Sequence, residues 1–452
     1  MRYLLMSLTI AVAAAAAAAQ DRAVELLKGA TWKFSTDDGK TFTADAPPAG
    51  AKQMVARATF KVQDPSAIAV VYVTPDATAP YRYACALNGT EAVGPVKEML
   101  YRAIPLDAKD LLKSSNTLII RGPTPAGGKM RAAVLGYPAA MVAIQSGPVL
   151  GAFGSDYVTV TCRTNMPACV TVKATPTKPQ GGEVSATSDR GFYHRLKLRI
   201  PAGTRELTYQ AVASAGRASK AEGPFTVCLP DLGGNEPLRI VAAGDSRTNF
   251  RDWLRVANAI AKARPHLTVF SGDMVSDGRW YGDWDQEFFG PGKALLTTVP
   301  FYAVWGNHDG PASTFAEFFH TPSPDGKAVN WEQQVGSALL IGIHGGEDWS
   351  AASKNLAWLE GVLKDSQARF IFLFSHYPAY SSGRHGKANE RPIVTARTHI
   401  MPLLAKYKAT AMFAGHDHNY ERSEPPADKA VTSGARRIRS SATIPGENGC
   451  LA

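Results

Sequence analysis

Five short segments of this chain carry acidic, amide and imidazole side chains: Gly244-Asp245-Ser246-Arg247, Gly272-Asp273, Gly306-Asn307-His308-Asp309, His376-Tyr377-Pro378 and Gly415-His416-Asp417-His418. Carboxylate, carboxamide oxygen and imidazole nitrogen together suit divalent or trivalent ions such as Fe, Mn, Zn or Co. A carboxylate can bridge two such ions held roughly 3.5–4 Å apart, and that pair both activates water and clamps phosphoryl oxygens. One histidine of this set could be a satisfied structural residue. Five segments in this order are not explained that way.

What would bring them together is the element before each. From residue 238 the pattern is of strands alternating with helices. Residues 238–243, 267–270, 299–304, 339–343, 370–374 and 409–413 read as short buried strands. Residues 250–263 read as a helix with Trp253, Leu254, Ala257, Ile260 and Ala261 on one face. A second helix opens near Ser350 as N-cap and carries Leu356, Trp358, Leu359 and Leu363, and a third covers residues 398–407. Each polar segment follows a strand, and the carboxyl ends of strands are where α/β sheets place their sites. Glycine precedes most of them and lets the backbone turn sharply. The expected architecture is α/β, an α-β-β-α sandwich.

In order and spacing these motifs resemble the calcineurin-like metallophosphoesterase superfamily. The stretch His376-Tyr-Pro-Ala-Tyr-Ser-Ser-Gly-Arg-His385-Gly, the run Gly415-His-Asp-His-Asn-Tyr-Glu-Arg422 and a preceding β-rich region are similar to purple acid phosphatases. The resemblance covers roughly residues 147–422. It implies a metal-dependent phosphoric ester hydrolase with two ions per chain, in which Asp273 bridges both. Asp245 and His418 would hold one ion, and Asn307, His376 and His416 the other. The implied nucleophile is a hydroxide on the metal. His308 would contact the phosphate and protonate the leaving group, and Asp309 would orient His308 or a ligand. His385 is a candidate for substrate contact, with a plain surface histidine as the alternative. His344 matches no ligand motif and reads as structural.

Two departures from the family pattern stand out. The superfamily motif is Asp-x-His, but the third residue here is Arg247. Purple acid phosphatases supply a tyrosinate from Gly-Asp-x-x-Tyr, and that position is Ser276. The first ion is left with Asp245, Asp273 and His418. Arg247 is suited to a forked contact with phosphate oxygens; an ion pair with a neighbouring carboxylate is the alternative.

The remainder of the 452 residues sets the context. Residues 1–19 combine Arg2, an apolar run and terminal alanines, the pattern of a signal peptide, so a secreted or periplasmic protein with no other membrane span is expected. Residues 20–140 and 147–229 show short alternating strands, including 54–62, 67–73, 118–121, 157–162, 170–172, 193–200, 207–213 and 225–227. The first stretch reads as a β-rich accessory unit, with carbohydrate contact one option, and the second as a fibronectin-III or immunoglobulin-like sandwich. The fold class is thus multidomain, N-terminal β-sandwich modules followed by the metallophosphoesterase domain at 238–425, with an atypical Ser/Arg/Gly-rich tail at 426–452. If that tail lacks closing strands, an exposed sheet edge follows. The formal charge of +10 favours anions, but the basic residues are dispersed and no nucleic-acid-binding motif is present, so a small phosphorylated substrate is the expected partner. Five cysteines, an odd number without a CxxC pair, read as structural rather than as ligands. The leading reading is a phosphomonoesterase. A phosphodiesterase or nucleotide hydrolase would use the same core, and a non-catalytic binding protein with an impaired metal site is the reading from a different class.

Overall fold

The computed structural model of the chain describes residues 22–422, except 36, 48–49, 77–81, 93–102, 126–130, 234–235, 320–328 and 388–389. The expected signal segment and the tail at 426–452 lie outside the described residues.

Alternation of apolar and polar side chains builds the N-terminal stretch as two antiparallel sheets. One runs in the order Val24–Glu25, Ala133–Pro138, Ile68–Thr74, Ile104–Asp107; the other runs Thr31–Ser35, Gln53–Lys61, Ser115–Pro123, Ala84–Leu87, Thr90–Ala92. In Gln53–Lys61 the side chains of Met54, Ala56, Ala58 and Phe60 share one core cluster with Val71, Val73 and Val134 of the other sheet. Period-2 patterning therefore places these faces against each other.

The second stretch is sheet as well, but one expectation needs correcting. Residues 157–162 and 170–172 are not two separate strands; they belong to one 22-residue strand, Tyr157–Lys178. That strand pairs with Gly191–Arg199 up to Arg163, breaks register between Arg163 and Ala168, and then pairs with Glu206–Ala215. Pro167 sits at the irregularity, where a missing N–H disrupts no ladder. Thr161 Oγ1 donates to the Phe318 carbonyl at 2.7 Å and Tyr209 OH to that of Thr297 at 2.9 Å. Arg163 pairs with Asp285 at 2.7 Å, largely out of solvent. The sheet thus packs directly on the C-terminal stretch.

There the strands are β1 (Ile240–Ala243), β2 (Leu267–Phe270) and β3 (Phe301–Ala303) in one parallel sheet. The second sheet holds β4 (Trp331–Val335), β5 (Ala338–Ile343), β6 (Phe370–Ser375) and β7 (Ala411–Phe413). Only its β4–β5 pair is antiparallel. Strand β4 is not among the expected strands, because Glu332, Gln333 and Gln334 hide its strand character; it forms by hairpin pairing through Gly336, whose φ is +55°. Helix α1 (Phe250–Ala263) has the expected bounds, is capped by Asn249 and buries Trp253, Ala257 and Ile260. Leu254 departs from the expected face and is 44% exposed. Helix α2 (Lys354–Asp365) is capped by Ser353 rather than Ser350. The third expected helix starts earlier, as Arg391–Thr395, a π-helical turn at Ala396–Ile400 and Met401–Lys406.

Phe413, on β7, the last strand of its sheet among the described residues, is 40% exposed. Cys85, Cys162, Cys169 and Cys228 are free thiols. Among the described residues no helix is long and apolar enough to cross a membrane.

Candidate metal centre

Three of the polar segments leave their strands through a sharp left-handed turn. Asp245, Asp273 and His416 adopt left-handed backbone, with φ of 55°, 54° and 74°. A side chain in that region costs on the order of 1–3 kcal/mol and persists only where the surroundings enforce it. The enforcement is visible: a Cβ on Gly415 would strike the Asp245 carboxylate, and one on Gly306 would strike Asp273. Glycine is needed there because the loops touch.

The convergence yields two groups of donor atoms. In the first, His376 is fully buried and its Nδ1 donates to the Ser271 carbonyl at 2.8 Å. A carbonyl only accepts, so Nε2 keeps its lone pair. That nitrogen faces Asn307 Oδ1 at 3.0 Å, His416 Nδ1 at 3.1 Å and Asp273 Oδ1 at 3.3 Å. In the second, ligand atoms of Asp245, Asp273 and His418 lie within 4.8 Å of one another, with His418 Nε2 3.5 Å from Asp245 Oδ1. Asp273 belongs to both groups. The His376 nitrogen, two carboxylates and an amide oxygen at these spacings fit the ions that the donor types suggest: atoms bonded to one ion at roughly 2.0–2.2 Å stand about 3 Å apart.

The electrostatics agree. Burial, with the charge of Asp273, pushes the Asp245 carboxyl up to about 7. Burial lowers His376 to about 4 and keeps it neutral, as a ligand must be. His418 is also lowered, by burial and by Arg247. A cation would relieve the repulsion between the two carboxylates.

Around these groups, the amide of His308 donates to Asp273 Oδ1 at 3.0 Å, while its ring Nδ1 donates to the Ser276 carbonyl at 2.7 Å. Its Nε2 stays out of that bond, and the residue lines a cavity of about 580 Å³ together with Asn307, Asp277 and Arg279. Asp309 makes no hydrogen bond to the His308 ring, which corrects one expected option. Instead it accepts amide hydrogens from Asp273 at 2.9 Å, Met274 at 2.7 Å and Gly306 at 2.8 Å, and so sets the turn that presents Asp273. Burial and the charge of Asp273 push its carboxyl up to about 8, against those three donations.

Arg247 pairs through Nε with Asp273 Oδ2 at 3.1 Å. The ion-pair alternative is therefore present, and the terminal nitrogens of Arg247 make no hydrogen bond among the described residues. Ser276, at the tyrosine position, donates from its amide and hydroxyl to Glu287, which also accepts from the Thr248 amide at 3.3 Å. His385 is drawn against His416, with ring centroids 4.1 Å apart. His344 packs on Trp305 at 3.9 Å, and burial lowers it to about 4, in keeping with a structural part.

Two residues escaped the sequence reading. Glu287 sits in a π-helical turn and Glu390 at the start of a short helix, where lone glutamates normally read as solvated. Neither position belongs to a motif, so no sequence signal marked them.

The fold and the paired donor groups define a metallophosphoesterase. Residues 238–420 match the model of the family described as calcineurin-like phosphoesterase. Tartrate-resistant acid phosphatase type 5 of Mus musculus is 34% identical over 228 residues, covering 41% of this chain and 67% of that protein. Its counterpart from Oryctolagus cuniculus is 26% identical over 241 residues, covering 43% and 72%. A solved purple acid phosphatase from yellow lupin (Lupinus luteus) seeds superposes with a TM-score of 0.55 at 17% identity, over 87% of this chain and 81% of that one, and shows the shared fold. The chain belongs to the calcineurin-like phosphoesterases, with purple acid phosphatases among its relatives, and is a metal-dependent phosphoric ester hydrolase.

Proposed function

We propose that the protein is an exported phosphomonoesterase in which Asp245, Asp273 and His418 would hold one ion and Asp273, Asn307, His376 and His416 the other. The observation that carries this reading is the approach of Asn307, His416 and Asp273 to the single lone pair of buried His376. When bound, such ions supply Lewis acidity and an activated water near neutral pH.

The chain's own residues have distinct parts. His308, held through Nδ1, keeps Nε2 for a proton exchanged with the leaving oxygen. Arg247 uses Nε on Asp273 and offers its terminal nitrogens to phosphate oxygens. Asp309 holds the Asp273 turn. His385, its ring against that of His416, would contribute a substrate contact. The polar cavity beside His308 suits a small ester better than a large apolar one. We also read residues 1–19 as an export signal, and 20–140 and 147–229 as accessory sandwich modules, the second of fibronectin-III type. The shared core of the two N-terminal sheets supports the first of these modules.

The Arg247–Asp273 pair favours one competing reading, a binding protein with an impaired metal site. Metal analysis of purified protein, with turnover of an aryl phosphomonoester against its bis-aryl diester, separates the possibilities. Two ions and preferential monoester turnover are expected. Preferential diester turnover would reassign the substrate, and folded protein with neither metal nor turnover would leave the binding role.

A further inference from the structure

We infer that Glu390 is a positioning residue that fixes the tautomer of His416, and hence which ring nitrogen His416 turns to the metal centre, while its other oxygen holds His385. The inference rests on the reading of His416 as a ligand and goes beyond it.

The argument is one of donors and acceptors. Glu390 Oε2 lies 2.9 Å from His416 Nε2. A carboxylate only accepts, and a neutral imidazole has a single N–H. The His416 hydrogen therefore sits on Nε2, and the lone pair is on Nδ1. That Nδ1 is the atom 3.1 Å from His376 Nε2. His376 is locked in the complementary way, its Nδ1 hydrogen committed to the Ser271 carbonyl at 2.8 Å. Two rings are thus each tied from behind, and their lone pairs face one another as ligands of one cation would. Acceptors behind metal-binding histidines fix ring orientation and basicity in this manner.

The second oxygen of Glu390 extends the arrangement. Oε1 is 2.6 Å from His385 Nδ1. The loop carrying His385 is held independently by Asp417, which accepts from Ser381 Oγ at 2.5 Å and from the amides of His385 and Gly386 at 3.2 Å. One carboxylate therefore spaces His385 and His416. His385, Glu390 and His416 also lie close enough together to resemble a metal site of their own, but these hydrogen bonds account for that closeness.

The test uses the full-length protein and reads metal binding and ring state, not activity. Nitrogen-15 long-range NMR of the metal-free protein should show His416 as the Nε2–H tautomer. Calorimetric titration with Zn²⁺ should show one of two ions bound about 10–100-fold more weakly in Glu390→Ala, with partial recovery in Glu390→Asp. Glu390→Gln keeps one acceptor oxygen for two histidines and should fall between. A wild-type Nδ1–H tautomer, which needs no variant to fold, overturns the inference, as does unchanged Zn²⁺ affinity in folded Glu390→Ala. His416→Ala is the reference. If it loses an ion while Glu390→Ala does not, only this inference fails; if it too binds both ions normally, the ligand assignment falls with it.

Discussion

Arg247 Nε stands 3.1 Å from Asp273 Oδ2, so the residue in the place of a superfamily histidine is paired with the one carboxylate common to both donor groups. An imidazole there would add a ligand. A guanidinium instead adds a fixed positive charge beside Asp273 and His418, and that charge helps to keep His418 unprotonated. The same charge competes with a cation for Asp273.

Two substitutions at this position should part in opposite directions. Arg247→His removes the competing charge and supplies a ligand, so the affinity of the Asp245–Asp273–His418 group for Zn²⁺ should rise by tenfold or more. Arg247→Ala removes a charged hydrogen-bond donor, worth about 1.5–3 kcal/mol. On the proposed substrate role it should raise KM by about 10–100-fold with a smaller change in kcat. Calorimetry and steady-state kinetics check the pair, and an unchanged KM in Arg247→Ala would confine that arginine to the ion pair.

Ser276 gives a spectroscopic prediction. Its hydroxyl is spent on Glu287, and a serine has no phenolate to share with a metal. Iron-loaded protein should therefore lack the visible tyrosinate-to-iron charge-transfer band. A visible spectrum of protein reconstituted with ferric ion decides it: a purple chromophore would mean that a tyrosine reaches the site after all.

Most of the proposed ligand segments are legible in the sequence because a glycine opens them at the end of an apolar run, as in Gly244-Asp245 after β1 and Gly272-Asp273 after β2, whereas His376 follows Ser375. The turn geometry that such positions need restricts residue type, and so leaves a trace. Glu390 and Glu287 leave none, since their roles depend on where separate loops meet in space. The join between residues 157–162 and 170–172 is hidden for a related reason: Pro167 interrupts the alternation locally, yet a 22-residue strand carries it at a register break. The β4 strand was hidden by its polar side chains, because pairing with β5 decided its conformation.

Asp309 should prove a structural support of the centre. Its two oxygens accept three buried amide hydrogens. Asp309→Ala leaves those donors unpaired, at about 1–3 kcal/mol for each that water does not reach. A loss of at least ~3 kcal/mol in urea unfolding is expected on that basis, with weaker metal binding because the Asp273 turn loosens. Asp309→Asn, which retains one acceptor oxygen, should lose less. Equal stability of Asp309→Ala and wild type would show that the three amides find other partners.

Away from the metal centre, buried His194 should set part of the acid limit of the fold. Its Nδ1 meets Ser188 Oγ at 2.7 Å and its Nε2 meets Thr164 Oγ1 at 3.0 Å, and burial lowers it from 6.5 to about 4. A histidine whose folded value is depressed is neutral in the native state and takes its proton more readily when unfolded. Its contribution is complete above about pH 6.5, declines as the pH falls and is gone near pH 4. Between pH 7 and pH 5 the loss comes to about 2 kcal/mol, because one proton bound only by the unfolded chain costs the fold ~1.4 kcal/mol for each further drop of one in pH. Gln can donate to one hydroxyl and accept from the other but does not titrate. His194→Gln should therefore lose about 2 kcal/mol less than wild type over that interval, whatever its stability at pH 7. Urea midpoints at the two pH values measure the difference, and parallel losses in the two proteins would remove His194 from the account of acid sensitivity.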